Sequence, residues 1–474
     1  MTPTPLHDRS AADLLALYAS REASPVEVVR ELLAHIERCE PHIAATWALD
    51  AEGALQAARD SEGRWQRGEA RALDGVPVTI KDNIATRGAP TPLGTAASLH
   101  TPAAADAPPA ARLREAGAVF IAKTTMPDYG MLSSGLSSFH AQRGALTRNP
   151  WNLRKNPGGS SAGAGAAAAA GYGPLHLGTD IGGSIRLPAA WCGVVGFKPS
   201  AGRVPIQPPY LGRVAGPLTR SVADAAALMA VLSQPDERDA TRLPHHAIDW
   251  LDLRDADHVR GLRIGLWLDA GWGLPLAPDI AAAVQGAAQR LAAAGADVEP
   301  LPPFATPEAL REMADGINLF WRMRSWLDLQ ALPPHRRTLV LPFIRAWVDA
   351  AAGFTAAQVF HGYTQFALLR DAAVAACGRF DAVIAPVAPV SAFDAEWAMP
   401  SNDPLRAMEH IGFTLPFNAS EQPAISMPCA LTADGLPIGL QIIGRRHDDL
   451  GVLRLARAWE QLRAPLRDAP PLPI

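Results

Sequence analysis

Cysteine is scarce in this chain. Four residues among 474, Cys39, Cys192, Cys377 and Cys429, lie far apart and form no CxxC pair. That excludes a small disulfide-stapled framework and points to buried reduced thiols of a cytoplasmic protein. Charge is sparse as well. Asp, Glu, Lys and Arg make up 19% of the residues, and 43 basic groups against 47 acidic ones leave a formal net charge of −4. With no basic block, nucleic acid is not expected as a partner. Long apolar runs are missing too. The nearest, residues 162–178, is mostly Ala and Gly, too weakly apolar to span a bilayer, so no membrane is expected. The first fifteen residues carry His7, Asp8, Arg9 and Asp13 and no apolar h-region, which excludes an ordinary signal peptide. What remains is 48% hydrophobic, enough for a large core, and global disorder is excluded. Gly (39) and Pro (43) are frequent without a triplet period, which rules out collagen and implies many fixed turns.

Behind those absences, helix and strand patterns alternate. Ser10 is placed to cap a helix over 11–17. Ser24, Pro25, Val26 and Glu27 form a capping box with Pro at the first helical position. Val26, Val29, Leu32, Leu33 and Ile36 then recur at three- and four-residue steps, which predicts an amphipathic helix through residue 38. Further helices are expected over 51–65, 108–115, 221–232, 277–294 and 448–462. Strands are expected over 76–80, 118–122, 262–267, 380–386 and 439–444. Such alternation indicates an α/β core. Residues 129–160, dense in Ser, Gly, Asn and Pro, read as ordered loops of the kind that carry functional groups. A helix starting near Ser161 would be almost bare of side chains, which permits close packing on a sheet. Residues 233–262 read as a polar surface excursion. Residues 305–375 read as helical and aromatic-rich, with Phe320, Trp321, Trp326, Phe343, Trp347, Phe354, Phe360 and Tyr363.

Three segments hold candidate chemistry: Lys81 at its strand end, Gly158 to Gly163, and Gly178 to Arg186. Ser184 follows two glycines, on a backbone free to take strained or positive-φ conformations. Successive N–H groups at Ile181, Gly182, Gly183 and Ser184 can curl into an anion-holding nest. A nucleophile beside its own oxyanion hole is what acyl transfer needs, although an ordinary Gly-Gly turn would also explain these residues. A serine hydroxyl needs a base. His140 and His176 are the histidines nearest in sequence to the serine loops, and neither has an evident partner. Lys81 is the other candidate. Desolvation at the end of an apolar strand lowers a lysine's pKa and favours the neutral amine; the bland alternative is a lysine snorkelling at a strand end.

Four blocks, in order across residues 75–444, carry a resemblance. They are GVPVTIKDN (75–83); NPGGSSAGAGAAAAAG (156–171) with GTDIGGSIRLPA (178–189) and GFKPSAGRVP (196–205); FDAVIAPVAP (380–389); and FNASEQPAISMP (417–428) with GLPIGLQIIG (435–444). The chain resembles the amidase signature family of serine hydrolases, of the stand-alone bacterial type. The resemblance implies one α/β domain over 1–474, with a central mixed β-sheet covered by helices on both faces. N-terminal helices would occupy 1–74, the signature core 75–232, a variable helical cap 233–375, and the C-terminal part of the core 376–474. It also implies a Ser–cis-Ser–Lys triad. Ser184 matches the nucleophile, Ser160 the bridging serine and Lys81 the base. The N–H groups of Ile181, Gly182, Gly183 and Ser184 match the oxyanion hole, and Asp180, Ser161 and Arg186 match positions that brace these loops. Gly130 matches a position whose backbone faces the site, with Met131 beside it. Residues 128–147 are less typical and are expected to line the substrate channel. No metal and no cofactor are implied.

Decoys share the same region. Gly159 to Gly163 fits G-x-S-x-G, which would make Ser161 a nucleophile, but Arg154-Lys155-Asn156-Pro157 is not the apolar strand that motif requires. Gly163 to Ala168 mimics a dinucleotide fingerprint and lacks the strand too. Cys192 reads as a buried small residue rather than a thiol nucleophile. The activity implied is hydrolysis of amide C–N bonds through an acyl-enzyme. The supply of Trp and Phe leans toward a small-molecule aryl or alkyl amide, or a carbamate (urethane), with esters also in reach. The rival is an A-type amidotransferase component that releases ammonia from glutamine inside a complex, and its distinctive motifs between 300 and 400 are not recognised. A catalytically dead scaffold is a third reading, opposed by the intact Lys81, Ser160 and Ser184. Many relatives are dimers, so a homodimer is one option, with no interface legible in the sequence.

Overall fold

A computed structural model describes residues 4–464 together with 466, 470 and 472. Among these residues eleven strands share one sheet: Thr46–Leu49 (β1), Pro77–Lys81 (β2), Val119–Thr124 (β3), Leu175–Asp180 (β4), Val195–Lys198 (β5), Val214–Thr219 (β6), Arg263–Trp267 (β7), Asp297–Leu301 (β8), Ala382–Pro386 (β9), Ala424–Leu431 (β10) and Pro437–Gly444 (β11). Their order is β1-β3-β2-β4-β6-β5-β10-β11-β9-β7-β8. The sheet is mixed. β3-β2-β4 and β9-β7-β8 pair in parallel, and antiparallel pairs join these groups through β6, β5, β10 and β11.

Helices cover both faces. On one side, Pro108–Glu115, Val222–Leu232, Pro278–Ala293 and Asp449–Leu462 pack on Val78, Ile80, Leu177, Phe197, Ile425 and Leu440. On the other, Pro25–Ile43 packs with Ala51–Arg67 on Val119 and Ile121, and the helices of 307–377 form a second apolar cluster with Leu187 and Trp191. Local chemistry sets the helix starts. Ser10 and Ser24 each accept the N–H three residues on, and Asp13 and Glu27 return the bond to the cap N–H. The second of these helices runs five residues beyond the expected end, because Cys39 and Ile43 continue the buried stripe.

Some strands were not expected. The segment read as N-terminal helices contains β1, which pairs with β3. Within the segment read as a helical cap, the expected strand over 262–267 and helix over 277–294 are present as β7 and Pro278–Ala293, and the unforeseen β8 joins them in the sheet layer. β4 was not foreseen: His176, Gly178, Thr179 and Asp180 break its apolar pattern, yet every residue of it is buried.

The side-chain-poor helix Ala162–Ala169 is wholly buried. A Cβ on Gly163 would fall 2.1 Å from the Ala45 carbonyl oxygen and 2.4 Å from the Thr125 nitrogen, so only glycine allows this approach to the sheet. That contact fixes Ser160 and Ser161 at the helix entrance. β2 and β4 run parallel, with Ile80 opposite Leu177. Their carboxyl ends therefore emerge together, and Lys81 meets the loop that carries Ser184.

Candidate active site

Lys81 is fully buried, and its Nζ sits in a ring of oxygens. Ser160 Oγ, Ser161 Oγ and Thr179 Oγ1 each lie at 2.9 Å and the Thr179 carbonyl at 3.4 Å. Burial pushes the amine down to about 7, against the pull of Asp180 and Asp82 and with the push of Arg213. The proton bookkeeping around it is tight. Ser161 Oγ donates to the Thr179 carbonyl at 3.1 Å, and Thr179 Oγ1 accepts from the Asn83 side-chain amide at 3.0 Å. A neutral amine has two N–H groups and one lone pair, so it can donate to only two of the three hydroxyl oxygens at 2.9 Å and offers its lone pair to the third. The Gly159–Ser160 peptide is cis. Gly130, at φ +71°, backs Ser160 so closely that a Cβ there would lie 3.2 Å from its Oγ.

The loop after β4 is folded around a buried carboxylate. Asp180 accepts the N–H of Gly183 at 2.8 Å and of Ile185 at 3.0 Å. Arg186 grips it through Nε at 3.1 Å and Nη2 at 2.9 Å, and both side chains are fully buried. Burial opposes ionisation of Asp180, but the Arg186 guanidinium outweighs it and holds the carboxyl well below the usual range. The remaining Arg186 donors reach Thr414 O (3.0 Å), Gln441 Oε1 (2.8 Å) and Asn418 Oδ1 (2.5 Å), tying the loop to the C-terminal blocks. One expectation changes here. The Gly183 N–H is committed to Asp180, while the N–H groups of Ile181, Gly182 and Ser184 meet no acceptor among the described residues. The nest therefore offers three donors to a substrate oxygen, not four.

Ser184 is half-buried on the wall of a cavity of about 470 Å³. Gly130, Met131, Ile181 and Gly182 line it from the sheet side. Trp321, Trp347, Met399, Met408 and Ile411 close it from the other. Of the aromatic stretch only Trp321 and Trp347 serve as roof. Phe320 packs against Tyr363 and Phe366, and Phe360 and Tyr363 are exposed. Of the less typical segment, Gly130, Met131, Leu132 and Ser133 line this cavity.

Sequence reasoning missed Arg324, which lines this cavity and a larger neighbouring one of about 1210 Å³ containing Thr179, Tyr129, Tyr210 and Arg213. Its guanidinium lies over the Tyr210 ring at 5.0 Å and 3.8 Å from Asp328. Thr179 and Asn83 were missed as well, although Asn83 stands two residues from Lys81.

The histidines are elsewhere. His176, within β4, bonds Thr79 and the Gly173 carbonyl, and burial drives its imidazole to about 3. His140 packs edge-on to Phe139, and burial beside Arg143 lowers it to about 4. Neither touches Ser160 or Ser184. Ser161 is held under Lys81 with no preceding strand, and burial pushes the Cys192 thiol up.

The model of the family Amidase matches residues 27–453. The A-type component of the glutamyl-tRNA(Gln) amidotransferase of Roseiflexus castenholzii is 35% identical over 489 residues, 97% of this chain and 96% of that protein. Among solved structures, a bacterial aryl acylamidase of the amidase signature family matches with a TM-score of 0.87 at 31% identity, over 97% of each chain. The A-type component of the glutamyl-tRNA(Gln) amidotransferase of Thermotoga maritima matches with a TM-score of 0.76 at 27% identity, over 98% of this chain and 99% of that one.

Proposed function

We propose, for a chain that belongs to the amidase signature family, hydrolysis of aryl or alkyl amides through an acyl-enzyme on Ser184, with carbamates (urethanes) and esters as related substrates. One observation carries this reading: the buried Lys81 amine lies 2.9 Å from Ser160 Oγ, behind a cavity that Ser184 lines. A base titrating near 7 is matched to work at neutral pH.

Neutral Lys81 takes the Ser160 proton on its lone pair while Ser160 takes the Ser184 proton. The Ser184 oxygen bonds to the substrate carbonyl carbon. Negative charge gathers on the carbonyl oxygen, where the N–H groups of Ile181, Gly182 and Ser184 can receive it. Ser160 then gives a proton to the leaving nitrogen and regains one from Lys81. The C–N bond breaks, the amine departs and Ser184 keeps the acyl group. Water gives up its proton along the same route, attacks the ester and restores Ser184. Asp180 and Arg186 do not touch substrate; they hold the loop whose N–H groups receive the charge. The apolar roof of Trp321 and Trp347 favours an aryl or alkyl group over a small polar one.

A second reading has its own support. The 35% identity to an A-type amidotransferase component over nearly the whole chain favours ammonia release from glutamine within a complex, and Arg324 offers a cation at the cavity for a carboxylate. Hydrolysis of a p-nitroanilide, an aryl carbamate, a short aliphatic amide and glutamine, by wild type and Ser184→Ala, separates the two. Aryl turnover lost in Ser184→Ala supports the stand-alone amidase. Turnover of glutamine alone, or none without added partner chains, moves the assignment to the amidotransferase reading.

A further inference from the structure

We propose that the larger chamber beside the catalytic cavity is an anion subsite, in which Arg213 and Arg324 hold a carboxylate at the far end of the amide substrate. The inference rests on the amidase reading above and narrows its substrate class.

The two spaces are walled by the same three stretches of chain. Tyr129 lines the chamber and Gly130 the catalytic cavity; Thr179 lines the chamber and Ile181 the cavity; Arg324 lines both. Thr179 also meets Lys81 Nζ at 2.9 Å, so the chamber starts directly beside the catalytic lysine. Residues 206–213 supply a further wall. A substrate seated at Ser184 can therefore extend past Arg324 into the chamber.

The charges in the chamber do not balance. Among the described residues that line it, Arg213 and Arg324 are the cations and Asp328 is the one carboxylate. Asp328 lies 3.8 Å from Arg324 Nε, longer than a charge-assisted hydrogen bond, and its side chain is 44% exposed to water. The Arg324 guanidinium lies over the Tyr210 ring, 5.0 Å from its centre. Arg213 follows on the same loop. It donates to the Pro208 carbonyl and forms no ion pair among the described residues. Burial and the charge of Arg324 both push the Arg213 guanidinium below its usual range, as expected of two cations facing one space. Two positive charges against one negative leave a single charge to be met, the complement of a monoanion. A planar carboxylate also matches the fork of a guanidinium. Leu93, Met126, Tyr129 and Ile206 give the chamber apolar walls. The substrate that fits is an amide with an apolar body and one anionic end.

The test uses p-nitroanilides whose acyl chains differ only at the far end, which carries a carboxylate, a methyl or a trimethylammonium group, each over a series of spacer lengths. With long spacers, wild-type kcat/KM is expected to be about tenfold higher for the carboxylate than for the methyl form, with the cationic form lowest. With the shortest spacer, which cannot reach the chamber, the three should agree within about twofold. Arg213→Gln and Arg324→Gln should each lower the long-spacer carboxylate-to-methyl ratio about tenfold, and Asp328→Asn, which removes the competing carboxylate, should raise it. If one arginine variant fails to fold, the other and Asp328→Asn still read the ratio. A wild-type ratio near one at every spacer length, or a ratio that neither arginine moves, would overturn the inference while leaving the amidase reading intact. A wild type without Ser184-dependent turnover of any of these anilides would overturn both.

Discussion

The floor and the roof of the cavity are built on different terms. On the floor, Lys81 and Arg186 hydrogen-bond with Ser160, Ser161, Thr179, Asp180, Thr414, Asn418 and Gln441, side chains and carbonyls drawn from four distant stretches of chain. On the roof, Trp321 Nε1 and Ser325 Oγ are buried and make no hydrogen bond among the described residues. A buried polar group left unmade costs about 1–3 kcal/mol, so a fold keeps one where a ligand completes it. The contrast assigns fixed chemistry to the floor and substrate choice to the roof.

Breaking the floor is expected to have the largest effect. Ser184→Ala should lower kcat/KM by roughly 10⁴-fold or more, about 5 kcal/mol of barrier, with an unchanged melting curve; near-normal turnover of an amide would remove Ser184 as nucleophile. Arg186→Met leaves the Asp180 charge buried without its main partner, and urea titration should show a loss of about 3–5 kcal/mol. A loss under 1 kcal/mol would mean that Asn418 and the backbone N–H groups suffice. On the roof, Trp321→Ala should weaken kcat/KM for an aryl amide by about 1–3 kcal/mol and leave a short aliphatic amide nearly untouched. Equal losses on both would erase the division of labour between the two walls.

A further effect is on stability against pH. Lys81 titrates near 7 when folded and near its ordinary 10.5 when unfolded. Between those values the unfolded chain binds more protons, so stability rises with pH across that window and the penalty of the buried charge is fully present below 7. Lys81→Met should flatten this slope in denaturant titrations at pH 6 and 9; an unchanged slope would contradict a buried amine of that kind.

How much of this was legible in the sequence depends on distance along the chain. Lys81 closing an apolar strand, Ser160 in its GGSS pair and Ser184 after two glycines were visible because each motif is local. The capping boxes at Ser10 and Ser24 were visible for the same reason. What was not visible is long-range or backbone-borne. No local signal joins Arg186 to Thr414, Asn418 and Gln441, more than 220 residues away. Nothing local tells that Asp180 takes the Gly183 N–H away from the nest. Arg324 lies in the long helical stretch 305–375 with no local signal, and only the fold brings it to the cavity. β10 was hidden because Pro428 interrupts its apolar run, at the point where its register with β11 shifts.

The most direct test of the floor's chemistry is to follow acylation by a slowly released aryl carbamate, mapping the adduct by peptide mass spectrometry between pH 5 and 9. The adduct is expected on Ser184, forming faster as pH rises through about 7, where Lys81 becomes neutral, and not forming at a measurable rate in Lys81→Met. An adduct on Ser161 or Ser133, or a rate on Ser184 indifferent to pH and to Lys81, would contradict the relay.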